Sequence, residues 1–501
     1  TTKDGANGIY IDGVPVGRGV GLAADVADLE RIELLRGPQG TLYGRNTSSG
    51  AINFITVKPE KEFSFQQGLT AGSRNLFASK TRLNVPLSDT LFTRLAYMRS
   101  SNSGWVKNTN TTMPNQINFN EDDKEAARWA LRLLASENFT ADFSLDHSKV
   151  TYGNVFFQRM VGPTAFVGER QDSAPARIGL SPGQTKVDGQ NLTLTWNAGD
   201  LVLKSITSSR DMKNHVHQDY IDSFTQIGDQ SQDQQSQEFQ AIGSALDKRI
   251  EYVAGVFFYR ESGNEAMVSR FPAVPLTDSW VVRAESKSTA LYGQASWKPP
   301  VLEDRLRLTL GVRETRDERS ATKSFVFSSF DPASNGRVVA GSKSFRKFTP
   351  TYTADYVFTD DINAYAKIAN GYRAGGFNTR STIAGFGNGF NQEDVRSTEL
   401  GLKADLLDKK LRVNAAAFVN KYANLQVDQA RVPAFFTDTL NAGKATTKGM
   451  ELELTARLAQ GWMGNFFYTW LDAKLDSYID NAQGVDVAAL RHMPNAPRAQ
   501  G

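Results

Sequence analysis

Two arginines set in glycine turns, and one pair of histidines, are the residues whose spacing first suggests chemistry. Gly17-Arg18-Gly19-Val20-Gly21 follows an apolar stretch, Gly8 to Val14. Glycines let a backbone approach an anion closely, and an arginine adds a cation. A nucleotide cradle would also need a surrounding strand–helix–strand unit, which is missing, so a cation held on a turn remains. Arg36-Gly37-Pro38 is the second such place, where the Gly-Pro pair forces a turn just after an arginine. His215 and His217 lie two apart, so on a strand they would face the same way, as a metal pair requires. No third ligand stands near them, and no metal site is expected. Glu121-Asp122-Asp123 reads as a solvated loop. No Ser–His–Asp order, nucleophile elbow or paired-carboxylate motif is present, so the chain does not read as an enzyme and no cofactor is expected.

Bulk composition narrows the classes without choosing one. Across 501 residues, 57 Lys and Arg face 54 Asp and Glu for a net charge of +3, so the basic footprint of a nucleic-acid binder is missing. Zero cysteines exclude disulfides and thiolate metal sites. Mean hydropathy is −0.40. The longest apolar run, Tyr252 to Tyr259, falls far short of the roughly 20 residues of a membrane-spanning helix. A soluble protein fits these facts, and so does a membrane β-barrel, whose signal lies in alternation. The chain starts at Thr1 without a methionine or signal peptide and stops at Gly501 after a polar stretch. It is therefore expected to be trimmed at both ends.

The elements that must position these residues fall into two styles. Residues 1–58 hold two apolar strand-like stretches, Gly8 to Val14 and Ala51 to Val57. Between them Val26, Leu29 and Ile32 recur at helical spacing, which predicts a short helix from Asp25 to Leu35 and a small mixed α/β unit. From about Lys61 the chain alternates apolar and polar residues. Leu306, Leu308, Leu310 and Val312 oppose Arg305, Arg307, Thr309 and Arg313; Leu452, Leu454 and Leu458 oppose Glu451, Glu453 and Arg457. Period two marks strands with one apolar and one polar face. These segments are long enough to cross a bilayer at a tilt. Trp105, Trp280, Trp297 and Tyr372 stand near segment ends, where an interfacial girdle would place them. Connections alternate between tight (Ser88-Asp89, Leu407 to Lys409) and long (Tyr152 to Asp188, Gly263 to Glu285, Gly375 to Val395), as in outer-membrane barrels. The Gln-rich stretch Gln226 to Gln240 runs into further alternation and reads as a strand extended beyond the membrane. Roughly 17 such segments are counted, an odd number where bacterial single-chain barrels have an even one.

The most specific signal runs through residues 8–59. It comprises Tyr10-Ile11-Asp12-Gly13-Val14-Pro15, then Leu29 through Arg36-Gly37-Pro38-Gln39-Gly40-Thr41-Leu42-Tyr43-Gly44, then Gly50-Ala51-Ile52-Asn53-Phe54-Ile55-Thr56 and Lys58-Pro59. In content and order this resembles the plug domain of TonB-dependent outer-membrane receptors. Thr398 to Lys403, Asn441 to Lys444 and Lys448 to Glu453 resemble that family's late barrel strands. The resemblance implies a plug at 1–59 inside a transmembrane antiparallel β-barrel at 60–501, incomplete beside the family's 22 strands. It implies a receptor that sits in the outer membrane against its lipid as a monomer. Such a receptor binds a scarce nutrient and imports it with energy from TonB and its inner-membrane motor. The TonB-binding box would lie upstream of Thr1. Arg45-Asn46-Thr47-Ser48 resembles siderophore-type members, so a ferric siderophore is the expected ligand.

The resemblance also assigns residues. The loop after the first plug strand forms the family's ligand-facing apex, which places Arg18 and Gly19 there; an ordinary solvated arginine is the alternative. In the family, an arginine at the Arg-Gly-Pro turn pairs with two glutamates of the barrel wall. Arg36 matches the arginine, and Glu399 and Glu451 match the glutamates. Alternation independently turns both glutamates away from Leu400, Leu402, Leu452 and Leu454 and toward a lumen. Two rival readings stay open at this point: a passive porin or adhesin barrel, which would lack a plug, and a soluble all-β binding protein.

Overall fold

The computed structural model describes residues 4–19, 28–110, 117–158, 160–161, 165–166, 171–176, 181–220, 224–271, 276–431, 436–480, 482–493 and 496–500. From Ser64–Gly72 to Trp462–Asp480, each long strand pairs antiparallel with the next. Val338–Phe348 and Thr351–Thr359 are one strand interrupted at Thr349-Pro350, since both pair with Leu306–Ser328. Proline cannot donate to the ladder, which explains the break. Counted this way, seventeen long strands line the barrel among the described residues. The sheet order closes through two-residue strands at Val485–Asp486 and Ala499–Gln500. Among the described residues, Ala499 pairs with Trp470 and Gln500 with Thr469.

Alternation sets what each face meets. Leu308 and Leu310 are exposed on the outer face of Leu306–Ser328. A side chain added at Gly311 would reach the Thr41 methyl inside, and Arg313 closes over Gly44. The strands outrun the membrane: Phe436–Ala459 has 24 residues, where a tilted crossing needs about 9–11. Gly263 to Glu285, expected as a long loop, is therefore mostly strand, split between Ile250–Phe271 and Leu276–Trp297. Asp122 and Asp123 likewise open the strand Asp122–Ser136. Gln226 to Gln240 lies within Phe224–Ala245. The girdle divides in the same way. Trp105 and Trp297 are exposed, but Trp280 and Tyr372 are buried inside, bonded to Glu265 and Asp317. Two aromatics at strand ends thus serve the interior, because their polar tips find carboxylate partners there.

Inside the barrel lies a four-stranded sheet in the order Val14–Pro15, Asn7–Ile11, Gly50–Thr56, Leu29–Arg36. Asn7–Ile11 runs parallel to Gly50–Thr56, and Leu29–Arg36 runs antiparallel to it. The helix expected over Asp25 to Leu35 is not formed in its described part, which is strand from Leu29; residues 25–27 lie outside the described residues. The helical spacing was carried by three apolar residues. Pairing Leu29–Arg36 along the free edge of Gly50–Thr56 satisfies a whole row of backbone groups, which outweighs it. Gly50 needs to be glycine: its φ is 150°, and a Cβ there would stand 2.4 Å from the Leu35 carbonyl oxygen.

Candidate substrate cavity and plug anchors

Arg18 does reach the apex of the inner sheet, but not as a free cation. Its guanidinium donates to Glu261 at 2.6 Å and to Asp4 at 3.1 Å. Arg319 pairs with Asp4 from the barrel wall, and Asn46 donates to the same carboxylate at 2.5 Å. Arg45 extends the network. It donates to Ser286 at 2.9 Å and Asp317 at 3.4 Å, and its guanidinium lies 4.4 Å from the Tyr259 ring centre. Tyr372 donates to Asp317 at 2.6 Å. Three arginines thus meet three carboxylates, all largely buried. Burial alone would raise the Asp4 carboxyl, yet Arg319, Arg18 and Arg45 together hold it well below the usual carboxylate range. Burial would likewise lower Arg18 and Arg45, but Glu261 with Asp4, and Asp317 with its neighbours, push both above the usual arginine value.

Above this network lies a cavity of about 240 Å³. Asp4, Arg18 and Gly19 form its floor, and Gln232, Glu265 and Val282 stand in its walls. A Cβ on Gly19 would meet nothing within 4 Å, so the backbone there is open to a ligand. Gly17, beside it, is fixed: its N–H donates to Gln234 at 2.8 Å, and a Cβ would stand 2.5 Å from the Tyr259 hydroxyl. Phe377 roofs the cavity from the segment 374–392, which carries a short helix, Ile383–Asn388. Phe377 and Phe386 pack with Met267, Trp280, Val282 and Ala321. The segment is tied down by Lys323 to the Ser381 carbonyl at 2.9 Å and by the Thr382 N–H to Asp438 at 3.0 Å. The result is a polar floor under an aromatic roof.

Arg36 anchors the sheet at another level. It donates to Glu451 at 2.7 Å and approaches Glu453 at 2.8 Å. Glu399, expected as the second partner, instead accepts from the Tyr365 hydroxyl at 2.6 Å. Glu453 shares the lumen face with Glu451, so the alternation that turned one inward turned both; only the motif assignment went elsewhere. The cluster is also wetter than expected, with the Arg36 side chain 53% exposed. Other anchors are drier. Asp28, 1% exposed, pairs with Arg94 at 3.0 Å and Arg82 at 3.3 Å. Thr41 bonds Thr351 at 2.8 Å. Asn46 joins its backbone N–H to the Tyr372 carbonyl at 3.0 Å and its side chain to the Ala374 N–H at 3.1 Å.

The histidine pair does not build a metal site. His215 is exposed and bonds Asp229 at 2.8 Å, while His217 is buried. Among the described residues, no group of three or more His, Asp or Glu could hold a metal ion.

Family comparison agrees with this geometry. The model of the TonB-dependent receptor-like β-barrel matches residues 35–501, and that of the TonB-dependent receptor plug domain matches residues 2–51. The chain is a TonB-dependent receptor. Receptors of this family are bacterial outer-membrane β-barrel proteins, a family of transporters. The pesticin receptor of Yersinia enterocolitica is 28% identical over 474 residues, covering 91% of this chain and 64% of its own length. The metal-pseudopaline receptor of Pseudomonas aeruginosa is 23% identical, covering 93% and 66%. The chain thus spans slightly less than two thirds of these relatives. Among solved structures, the ferric yersiniabactin uptake receptor of Yersinia pestis superposes with a TM-score of 0.81 at 23% identity, covering 99% of this chain and 73% of that one.

Sequence reasoning found both arginine turns but missed most of what surrounds them. Asp4, Arg45, Glu261, Asp317 and Arg319 were not singled out. Arg45 stood in the quoted Arg-Asn-Thr-Ser stretch, and its charge in an otherwise small polar run was the available signal. Glu261, Asp317 and Arg319 had only strand parity, which turns them inward but does not say what they meet.

Proposed function

We propose that this receptor binds a metal chelate, most specifically a ferric siderophore, from outside the cell and imports it with energy from TonB and its motor complex. The observation that carries this reading is the cavity between the Arg18 apex and the 374–392 segment. It sits on the sealed side of a plug that blocks the lumen. The floor offers Arg18 and the open backbone of Gly19, and the roof offers the Phe377 ring, a combination suited to a polar chelate with aromatic or apolar parts. At about 240 Å³ the cavity is smaller than typical ligand sites. Entry of a chelate therefore requires the roof to lift or Arg18 to exchange a carboxylate partner for the ligand. The names of relatives support the class: one is a receptor for a metal-pseudopaline, another an uptake receptor for ferric yersiniabactin. The receptor works as a monomer in the lipid of the outer membrane and performs no catalysis on its ligand.

The test is growth. Cells whose iron supply depends on the full-length receptor should grow on a ferric chelate, and the uptake should stop when an uncoupler collapses the proton-motive force. Uptake that continues unchanged under the uncoupler would mean a passive pore.

A further inference from the structure

A second cavity, of about 340 Å³, lies between Asn7–Ile11 of the plug and the wall strands Phe224–Ala245, Ile250–Phe271, Leu276–Trp297 and Leu306–Ser328. It shares Asp4, Gly17 and Gly19 with the first cavity. Arg18 lines the first and Arg45 the second, so the ion network of the apex is the partition between them. Register gives the depth. Ser288 stands opposite Asp317, and Tyr292 opposite Arg313. Arg313 therefore lies four residues nearer the short turns than the network, roughly 13 Å along the strand at about 3.3 Å per residue.

Arg313 is 3% exposed and lines this inner cavity. Its Nε donates to the Thr315 hydroxyl at 3.1 Å and its Nη1 to the Leu42 carbonyl at 3.4 Å. The rings of Tyr292 and Phe257 lie 5.2 and 5.5 Å from its guanidinium, which eases burial but supplies no counter-charge. Among the described residues, no carboxylate pairs with it. Arg18, Arg45, Arg94 and Arg319 each have one. The carboxylates of the cavity are engaged elsewhere. Glu238 accepts from the Tyr292 hydroxyl at 2.5 Å, and Asp4 is held by Arg18 and Arg319. A buried charge without a partner is costly. The plug nonetheless makes room for it: Gly44 has a φ of 82°, and a Cβ there would stand 2.8 Å from the Arg313 Cζ. Ser288 is a second orphan. It lines the same cavity, is 4% exposed, and its hydroxyl has no hydrogen-bond partner among the described residues.

We propose that the inner cavity is a second binding site, for a carboxylate whose charge Arg313 takes. A guanidinium fork matches the two oxygens of a carboxylate. One cation flanked by two rings suits a singly charged group on an organic body better than a small multivalent anion. The Ser288 hydroxyl stands at the apex end, so a molecule passing the network meets the hydroxyl first and the cation last. The anion site stands on these side chains alone, whereas its use as a station during import rests on the function proposed above.

The probe is 4-bromobenzoate soaked into crystals of the full-length receptor, compared with the neutral 4-bromobenzamide, with bromine located by its anomalous scattering. The benzoate should enter the inner cavity with its carboxylate on Arg313, and the amide should leave the cavity empty. Calorimetry on Arg313→Gln should show benzoate affinity lowered at least about tenfold. If that variant does not assemble, the benzoate and amide comparison on the unaltered receptor still decides. Uptake then identifies the source of the carboxylate. If it arrives on the chelate, Arg313→Gln should keep the affinity for the chelate at the cell surface and slow its import. Unchanged import with benzoate binding lost would assign the site to a free carboxylate, and either result leaves the anion site standing. A receptor that imports no chelate should still bind the benzoate. Equal occupancy by acid and amide, no bromine in the cavity, or unchanged benzoate affinity in an assembled variant would overturn the proposal.

Discussion

At the scale of single residues, burial separates two arginines that each join the plug to carboxylates of the barrel wall. Arg36 meets Glu451 and Glu453, and Arg45 meets Asp317 at 3.4 Å and Glu261 at 4.0 Å, but the Arg36 side chain is half exposed and Arg45 is 13% exposed. An exposed pair is worth about 0–1 kcal/mol, whereas removing one partner of a buried pair costs about 3–5 kcal/mol because the other charge stays unpaired. Arg45→Ala should therefore loosen the plug far more than Arg36→Ala. The reading is leakage of a large antibiotic through receptor that still assembles, and an equal effect of the two substitutions would contradict it. The Arg36 cluster can be tested separately. Glu451→Gln with Glu453→Gln should raise leakage as Arg36→Ala does, and combining all three should add little; additive lesions would show that these residues act apart. Asp4 predicts the acid behaviour. Its carboxyl is held below the ordinary value by arginines, so its contribution is complete above the unfolded-state value of about 3.9. That contribution fades only as pH falls through the lower folded value. Plug amides around residues 4–19 should keep their hydrogen-exchange protection from pH 7 to pH 5. Loss of protection already near pH 6 would rule this account out.

At the scale of elements, strand parity was legible and partners were not. The alternation of Arg305 to Arg313 named the outward leucines before any fold was known, because a period of two leaves only two faces. Spin labels at Leu308 and Thr309 should show the first in lipid and the second shielded, since Thr309 bonds Ser296 inside at 2.8 Å. Greater lipid exposure at Thr309 would put the register wrong by one. Leu29–Arg36 was misread because three apolar residues fit a helix as readily as an edge strand, and the neighbour that decides it lies some twenty residues away. Glu399 was misread for a related reason. Parity turns Glu399, Glu451 and Glu453 inward alike, and only the height of each on its strand decides which meets Arg36. Trp280 and Tyr372 were misplaced because strands that outrun the bilayer move their ends away from the interface. Close approach is the remaining element-scale feature that sequence hides. Gly40 would put a Cβ 2.4 Å from the Asn370 backbone oxygen, which cannot swing aside as a side chain can. Gly40→Ala should thus weaken the seat of the plug, measured as the same antibiotic leakage, while Gly19→Ala, with open space around it, should leave the seat unchanged.

At the scale of the whole molecule, the plug and the barrel are held unequally around the circumference. Buried ion pairs fasten the plug to the wall at Arg94, Glu261, Asp317 and Arg319. The seam is different. Among the described residues, Ala499–Gln500 joins Trp462–Asp480 through Thr469 with Gln500 and Trp470 with Ala499, whereas Ile250–Phe271 is paired with Leu276–Trp297 along its whole length. The strands that flank the seam are exposed over most of their length: Phe65, Leu69, Trp462 and Phe467 all stand open. Backbone groups without partners are costly in hydrocarbon, and a row of them is a ready edge for another strand. Opening should therefore begin here. Hydrogen exchange along Ser64–Gly72 and Trp462–Asp480 should outpace that of Ile250–Phe271 when these 501 residues are refolded in detergent. The same material should lose its compact form in sodium dodecyl sulfate without heating, because strands as short as Val485–Asp486 and Ala499–Gln500 leave much of the flanking backbone unpaired among the described residues. Recovery of a compact, heat-modifiable monomer from these residues alone would show that the short seam suffices, and the unequal fastening would have to be abandoned.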